Sequence, residues 1–280
     1  MRISVTLFAT DRTIRPDDLA REAEARGFDG LYLPEHTHIP VSRLTPAPTG
    51  DAELPDEYRR TLDPWVALAS AGAVTSRLRL GTGVALVIEH DPIALAKQVA
   101  TLDHLSGGRV VLGIGFGWNR EEAADHGVEW SRRRDITRER VLAMQRLWAD
   151  EVASFDGEDV HLSPSWAWPK PQQPRIPVLI GGGAGPILFS HIAEYGDGWI
   201  PVGGGGLTES LPRLRAAWEA EGRDPGALEV VPFGTLPTPG KLEHYRNLGV
   251  TEVVVRVPDG SRDAVLPELD RLAAAATFST

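Results

Sequence analysis

Short apolar runs and amphipathic stretches alternate along this chain from its first residues to its last, and that rhythm limits the fold more than any other feature. Continuous apolar strands separated by helices need a parallel sheet that is covered on both faces. Strands are expected at Ile3 to Phe8, Gly30 to Leu33, Leu78 to Val87, Val110 to Ile114, Val178 to Ile180, Gly198 to Pro201, Leu228 to Phe233 and Glu252 to Val257. The first intervening helix has Pro16 near its first turn and Gly27 as its stop. Asp63-Pro64 opens a second helix that runs to about Val74, and Asp91-Pro92 opens a third, in which Leu95, Val99 and Leu102 share one face before Gly107-Gly108. Further helices are expected at about Arg132 to Trp148, after Gly185-Pro186, and near Leu207 to Glu221, Gly240 to Leu248 and Arg262 to Ala275.

Eight such units in 280 residues predict an α/β fold, a closed (β/α)8 TIM barrel forming one domain over residues 1–280. A doubly wound sheet would carry its Gly-rich turn after strand one, where Ala9-Thr10-Asp11 stands instead. Two stretches break the rhythm. Residues 35–62 follow strand two, and residues 151–176 separate the fourth helix from strand five. The second holds Pro164, Pro169, Pro171 and Pro174 around Trp166 and Trp168. Both are read as insertions and candidate lids, the second with a short hairpin.

Composition narrows the chemistry. The chain has no cysteine, which excludes disulfides, thiolate catalysis and cysteine-based metal sites. A net charge of −10 argues against binding to nucleic acid or to an anionic membrane. It leaves room for a phosphorylated cofactor, because helix N-termini hold phosphate with backbone N–H groups. No apolar run of about 20 residues is present to span a bilayer. The opening MRISVTLFAT reads as a strand, not a signal peptide, so a cytoplasmic location is the expectation.

A barrel presents its active site at the C-terminal ends of the strands, so the residues just beyond each strand are the informative ones. Strand two ends in Glu35-His36-Thr37-His38. The H-x-H spacing admits a metal pair, a loop histidine held by a carboxylate, or a proton donor and acceptor beside a redox cofactor. A metal pair would need ligands from later strands. The remaining histidines are His90, His104, His126, His161, His191 and His244, and none stands at the end of strand five, six or eight. Strand three carries Gly81 and Gly83, which fits either tight packing or the close approach of a ligand. Strand four ends in Gly113, Gly115 and Gly117, then Trp118 and Asn119, a surface on which a planar ring can lie. Strand five leads into Gly182, Gly183, Ala184 and Gly185 before a helix, an anion cradle by composition. Trp199 on strand six walls a pocket or fills core space. The basic stretch from Arg132 to Arg140, with Asp135 and Glu139 interspersed, reads as a solvated helix face.

The stretches GFDGLYLPEHTHIP, LDPWVALASAGAVTSRLRLGTGV, DPIALAKQVATLDHLSGGRVVLGIGFGWNREE and AEYGDGWIPV together resemble the luciferase-like monooxygenase superfamily, and within it the F420-dependent oxidoreductases. The resemblance implies that His36 lies by the reactive ring as the catalytic residue and handles a proton. It implies that Glu35 occupies an acidic position found in such relatives, and that Gly83-Val84 forms a bulge with a non-proline cis peptide backing the ring. It places Gly115, Trp118 and Asn119 on the cofactor wall, Gly182, Gly183, Ala184 and Gly185 at the phosphate, and Trp199 beside them. Some relatives carry an acid at or near the position of Trp118. This chain has none there, although Glu121 and Glu122 follow.

The activity so implied is hydride transfer between the C5 of coenzyme F420 and a small organic substrate. The alternatives are an FMN-dependent monooxygenase fed by a separate reductase and a non-catalytic cofactor-binding homologue. Relatives of this type also form homodimers, although no interface is legible in the sequence.

Overall fold

The structure is a computed structural model, and it describes residues 1–48, 53–236 and 238–277. The chain begins with strand β1 (Arg2–Thr6), helix α1 (Pro16–Ala25) and strand β2 (Gly30–Leu33). Helix α2 (Pro64–Ala73), β3 (Arg79–Thr82), α3 (Pro92–Ser106), β4 (Val110–Ile114), α4 (Arg120–Asp125) and α5 (Arg133–Ala149) follow. An antiparallel hairpin, β5 (Ala153–Asp156) with β6 (His161–Ser165), then leads to β7 (Val178–Gly181), α6 (Pro186–Tyr195), β8 (Gly198–Ile200) and α7 (Leu207–Ala220). The last elements are β9 (Glu229–Val230), β10 (Phe233–Thr235), α8 (Pro239–Asn247), β11 (Glu252–Arg256) and α9 (Arg262–Thr277). No helix among the described residues is long and apolar enough to cross a membrane.

Local chemistry sets the helix ends. Asp63 accepts from the Val66 amide at 2.8 Å, and Asp91 accepts from Ile93 and Ala94 at 3.0 and 2.8 Å, so each carboxylate satisfies amides that the first turn leaves free. Both helices carry proline directly after the cap, where its missing N–H costs nothing. Gly107 closes α3 with φ of 72°, a left-handed cap that a side chain would strain.

Nine strands form one parallel sheet in the order β10-β11-β1-β2-β3-β4-β7-β8-β9. The sheet curls. Its two outer members, β9 and β10, are separated only by Val231 and Pro232, and this one length of chain reaches both sides. The Val231 amide donates to Trp199 O at 2.9 Å on the β8 side, and the Val254 amide of β11 donates to Pro232 O at 3.0 Å. Tyr32, Val111, Leu179, Ile200, Val231 and Val254 pack together inside the curl. A larger apolar layer lies between the sheet and the helices.

An ionic cluster joins strands at the N-terminal end of the sheet. Glu252, fully buried, accepts from Arg2 Nε at 3.0 Å, from Arg79 and from Ser4, while Glu229 also meets Arg2 and Arg79.

Three expectations are corrected. Strand three ends at Thr82 and not at Val87, because the chain bulges at Gly83-Val84 and regains the sheet only through a single bridge of Ala85 with Ile114. Strand seven is two pieces, β9 and β10; Pro232 between them has no amide to donate. Helix α4 was not foreseen, since six residues are too few for a period to show. The hairpin falls inside residues 151–176. Part of the 35–62 stretch, residues 49–52, lies outside the described residues.

Candidate active site

A cavity of about 440 Å³ opens at the C-terminal ends of the strands, with Phe8, His36, Tyr58, Val84 and Trp118 among its walls. A second cavity of about 320 Å³ shares Gly83, Val84, Leu86, Trp118, Val202 and Phe233 with the first and continues to Gly115, Gly182, Arg133 and Arg134. Together they form one cleft divided by a ridge at Val84.

The ridge is built by the bulge. The Gly83–Val84 peptide is cis. The Gly83 amide donates to Leu33 O at 2.8 Å, Ala85 to Gly113 O at 2.8 Å, and Gly115 back to Ala85 O at 3.0 Å, so β2 and β4 both grip it. Side chains cannot enter here. A Cβ on Gly83 would stand 2.2 Å from Cε2 of Phe233, and one on Gly115 would stand 2.6 Å from Cγ2 of Val84.

His36 is buried at the cleft wall, 8% exposed. Its Nδ1 lies 2.8 Å from Glu122 Oε2, and Trp118 Nε1 donates to its Nε2 at 3.4 Å. An indole N–H can only donate, so Nε2 is the acceptor and the neutral ring carries its proton on Nδ1, toward the carboxylate. Tyr58 and Trp118 hold the imidazole from two sides, with ring centroids 5.3 and 5.6 Å away. The result is a basic nitrogen with its lone pair turned to the Trp118 side of the cleft. Glu122, 1% exposed, uses its other oxygen to accept the Thr37 amide at 3.0 Å. It stands on α4, whose N-cap is Asn119.

The other residues singled out from the sequence separate into two sets. Gly83, Val84, Gly115, Trp118 and Gly182 line the cleft. Glu35 lines it too, but its oxygens are engaged, one by the Leu86 amide at 2.6 Å and one by His90 Nε2 at 2.9 Å. Glu35 thus fixes the far side of the bulge. Burial pulls the His90 imidazole down, but the Glu35 hydrogen bond and charge more than offset this and leave it raised.

The second set supports the cleft from outside. Asn119 is buried under α4, with its Nδ2 unpartnered among the described residues, and lines neither cavity. Trp199 is buried and donates from Nε1 to Gly182 O at 3.1 Å, which braces the loop. Gly183, Ala184 and Gly185 lie beyond the lining, on the open run into α6.

Sequence reasoning missed two features. The first is the pairing of Glu122 with His36. The second is the pair Arg133 and Arg134, which belong to the cleft and not to a solvated face. Their guanidiniums stack over Trp130 and Phe116, at 4.3 and 4.4 Å from the ring centroids. Arg133 Nε and Arg134 Nη1 are buried and have no hydrogen-bond partner among the described residues. Burial, and then the charges of Arg134 and Arg120, hold the Arg133 pKa below its ordinary value. Two crowded cations with unpartnered donors are suited by charge to an anion. Elsewhere on the same helix Arg138 meets Glu194, as a surface arginine does. The H-x-H pair is divided, with His38 turned to Asp125 at 3.0 Å. Among the described residues no group of three or more metal-binding side chains is assembled.

Comparison with known proteins gives the family. A family model described as luciferase-like monooxygenase matches residues 14–238. The uncharacterized protein Rv0953c of Mycobacterium tuberculosis is 52% identical over 277 residues, covering 98% of each chain. The F420-dependent glucose-6-phosphate dehydrogenase of Kineococcus radiotolerans is 33% identical over 220 residues, covering 76% of this chain and 60% of that protein. Among solved structures, an F420-dependent secondary alcohol dehydrogenase in complex with an F420-acetone adduct superposes with a TM-score of 0.79 at 19% identity, covering 100% of both chains. With the family model spanning most of its length and a near full-length relative, this chain belongs to the luciferase-like monooxygenase family.

Proposed function

We propose that this chain is an F420-dependent oxidoreductase that moves a hydride between the C5 of the deazaflavin and a small organic substrate, with His36 exchanging the accompanying proton. In this reading the curled sheet is a (β/α)8 barrel whose cleft takes His36, Pro48 and Tyr58 from the stretch after β2, while residues 151–176 line neither cavity of the cleft. The observation that carries the proposal is the His36 imidazole, whose Nδ1 meets Glu122 and whose Nε2 lone pair meets only the long Trp118 N–H contact at 3.4 Å, on the wall of a cleft backed by the Gly83-Val84 ridge.

The residues present fit the cofactor. Gly83 and Gly115 keep side chains off the ridge where a flat ring system would lie. Arg133 Nε and Arg134 Nη1 offer unpartnered donors at the far end, suited to the phosphate and acidic tail that F420 carries. When bound there, F420 supplies a two-electron hydride donor or acceptor. Val84 and Phe233 limit where the ring can rest, Trp118 and Tyr58 exclude water from the reacting face, and His36 Nε2 accepts or returns the proton. The F420-dependent name of the Kineococcus relative supports this cofactor over FMN.

A second reading, an FMN-dependent monooxygenase served by a separate reductase, is favoured by the family description itself. Titration with each cofactor under anaerobic conditions separates the two. F420 is expected to bind and its fluorescence to change; FMN binding without F420 binding refutes the proposal. A non-catalytic homologue would bind F420 yet show no loss of any activity on His36→Ala.

A further inference from the structure

The two sides of the Val84 ridge differ in chemistry. On the far side stand Arg133 and Arg134 with their unpartnered donors. On the His36 side the walls are rings. Phe8 and Tyr58 lie with centroids 4.7 Å apart, and Trp118 stands nearly perpendicular to Tyr58 at 6.0 Å. With the His36 imidazole packed on both Tyr58 and Trp118, these rings make one continuous aromatic wall, each of the three only partly buried.

Among the described residues that line this side, Arg256 is the only guanidinium, and it is already committed. Its Nη2 donates to Asp259 and lies 3.5 Å from Glu57 Oε1, while its Cζ sits 5.3 Å from the centroid of the Phe8 ring. Asp259 is fixed in turn by the Phe8 amide, which donates to its Oδ1 at 2.7 Å. Two carboxylates thus surround one cation, and the trio leaves a surplus of negative charge at the cavity edge. An anionic ligand brought here loses its water and gains only a guanidinium that two carboxylates already share. A flat apolar ligand loses little and gains the faces and edges of the rings.

We propose that the substrate is an uncharged alcohol, or the carbonyl compound it becomes, on a flat apolar body, and that Glu57 and Asp259 determine this specificity by holding Arg256 and turning anions away. The inference rests on the reading of this cleft as the site of hydride transfer and names the substrate class for it. A hydroxyl is the polar group that His36 Nε2 receives, because the neutral ring accepts there. In oxidation the carbon bearing the hydroxyl gives up a hydride to the cofactor, the oxygen gives its proton to Nε2, and a C=O bond forms. In reduction the same hydride and proton return. The apolar body rests against Phe8, Tyr58 and Trp118. A phosphorylated sugar, an anion with many hydroxyls, matches neither the rings nor the carboxylates.

Binding is tested with cinnamyl alcohol and cinnamate, which share a flat body and differ in charge, and with glucose 6-phosphate. Ligand-observed magnetic resonance titrations are run on the protein with and without F420. The alcohol is expected to bind about tenfold or more tightly than either anion. Phe8→Ala and Tyr58→Ala are each expected to weaken the alcohol by about tenfold, the worth of one lost ring surface. Glu57→Gln combined with Asp259→Asn frees Arg256 while the new amide keeps an oxygen for the Phe8 N–H. This variant is expected to bind cinnamate about tenfold more tightly, with the alcohol unchanged. Either anion binding as tightly as the alcohol to the unaltered protein overturns the proposal. So does alcohol binding that is undetectable, or that both ring variants leave unchanged, and so does a cinnamate affinity that the double variant does not raise. F420 binding is read separately by fluorescence: the expected selectivity with no F420 binding supports the substrate class and refutes only the cofactor assignment.

Discussion

Replacing Glu89 with Gln removes a carboxyl that the fold keeps protonated, and this fixes a pH signature that can be worked out in advance. Free glutamate loses its proton near 4.5, whereas burial and the charges of Glu122 and Glu35 hold Glu89 at about 8. Between those values the unfolded chain releases the proton and the folded chain keeps it. Folding stability therefore falls as pH rises through this window, and it levels off once the folded carboxyl also ionises. At about 1.4 kcal/mol per pKa unit, the loss between about pH 5 and about pH 9 is on the order of 4 kcal/mol. Gln has the shape of the protonated acid and cannot ionise, so the variant escapes this loss. Urea unfolding of both proteins across the range measures it, and the midpoints should separate in favour of Glu89→Gln as pH rises. A stability gap that is the same at both ends of the range refutes the claim that Glu89 is protonated in the fold.

Other variants probe the cleft and the opposite end of the sheet. His36→Asn should cut the rate of hydride transfer by about 10²–10⁴ with any substrate the unaltered protein turns over, while F420 titration shows little change in affinity. Arg134→Leu should weaken F420 binding by about tenfold, the worth of one charge-assisted hydrogen bond, and should flatten the salt dependence of the titration. Glu252→Gln takes one of two carboxylates from Arg2 and Arg79 and leaves them Glu229; a cost of about 1–3 kcal/mol is expected, read as a lower melting temperature. Gly115→Ala drives a methyl into Val84 and should reduce F420 binding with far-ultraviolet circular dichroism unchanged.

Much of the architecture was legible because it is written locally. Asp63-Pro64 and Asp91-Pro92 announce helix starts through chemistry confined to four residues, and the caps form where they were expected. The resemblance carried what local patterning cannot, placing a cis peptide at Gly83-Val84, where the structure has one. Apolar residues alone suggested a strand running on to Val87, since a bulge and a strand share composition. The pairing of His36 with Glu122 spans 86 positions and depends on a helix too short to leave a period. The basic run at Arg132 to Arg140 was ambiguous for a different reason. One helix turns Arg138 to a surface carboxylate and Arg134 to a buried ring, and only tertiary packing says which goes where.

The pairing of the first strand with the last shapes how this chain must assemble. Strand β1 joins β11 in register, Arg2 beside Glu252 and Thr6 beside Arg256, so its outer edge has no partner until the whole sheet has been made. During synthesis that edge is an open template of amides and carbonyls next to fully buried Val5. A contact between positions 2 and 252 is about as non-local as this chain permits, and such closures come late and slowly. The nascent protein is therefore most exposed to aggregation just before its final strand arrives, and a chaperone that covered β1 over that interval would raise the yield of native molecules without altering the stability of the finished fold.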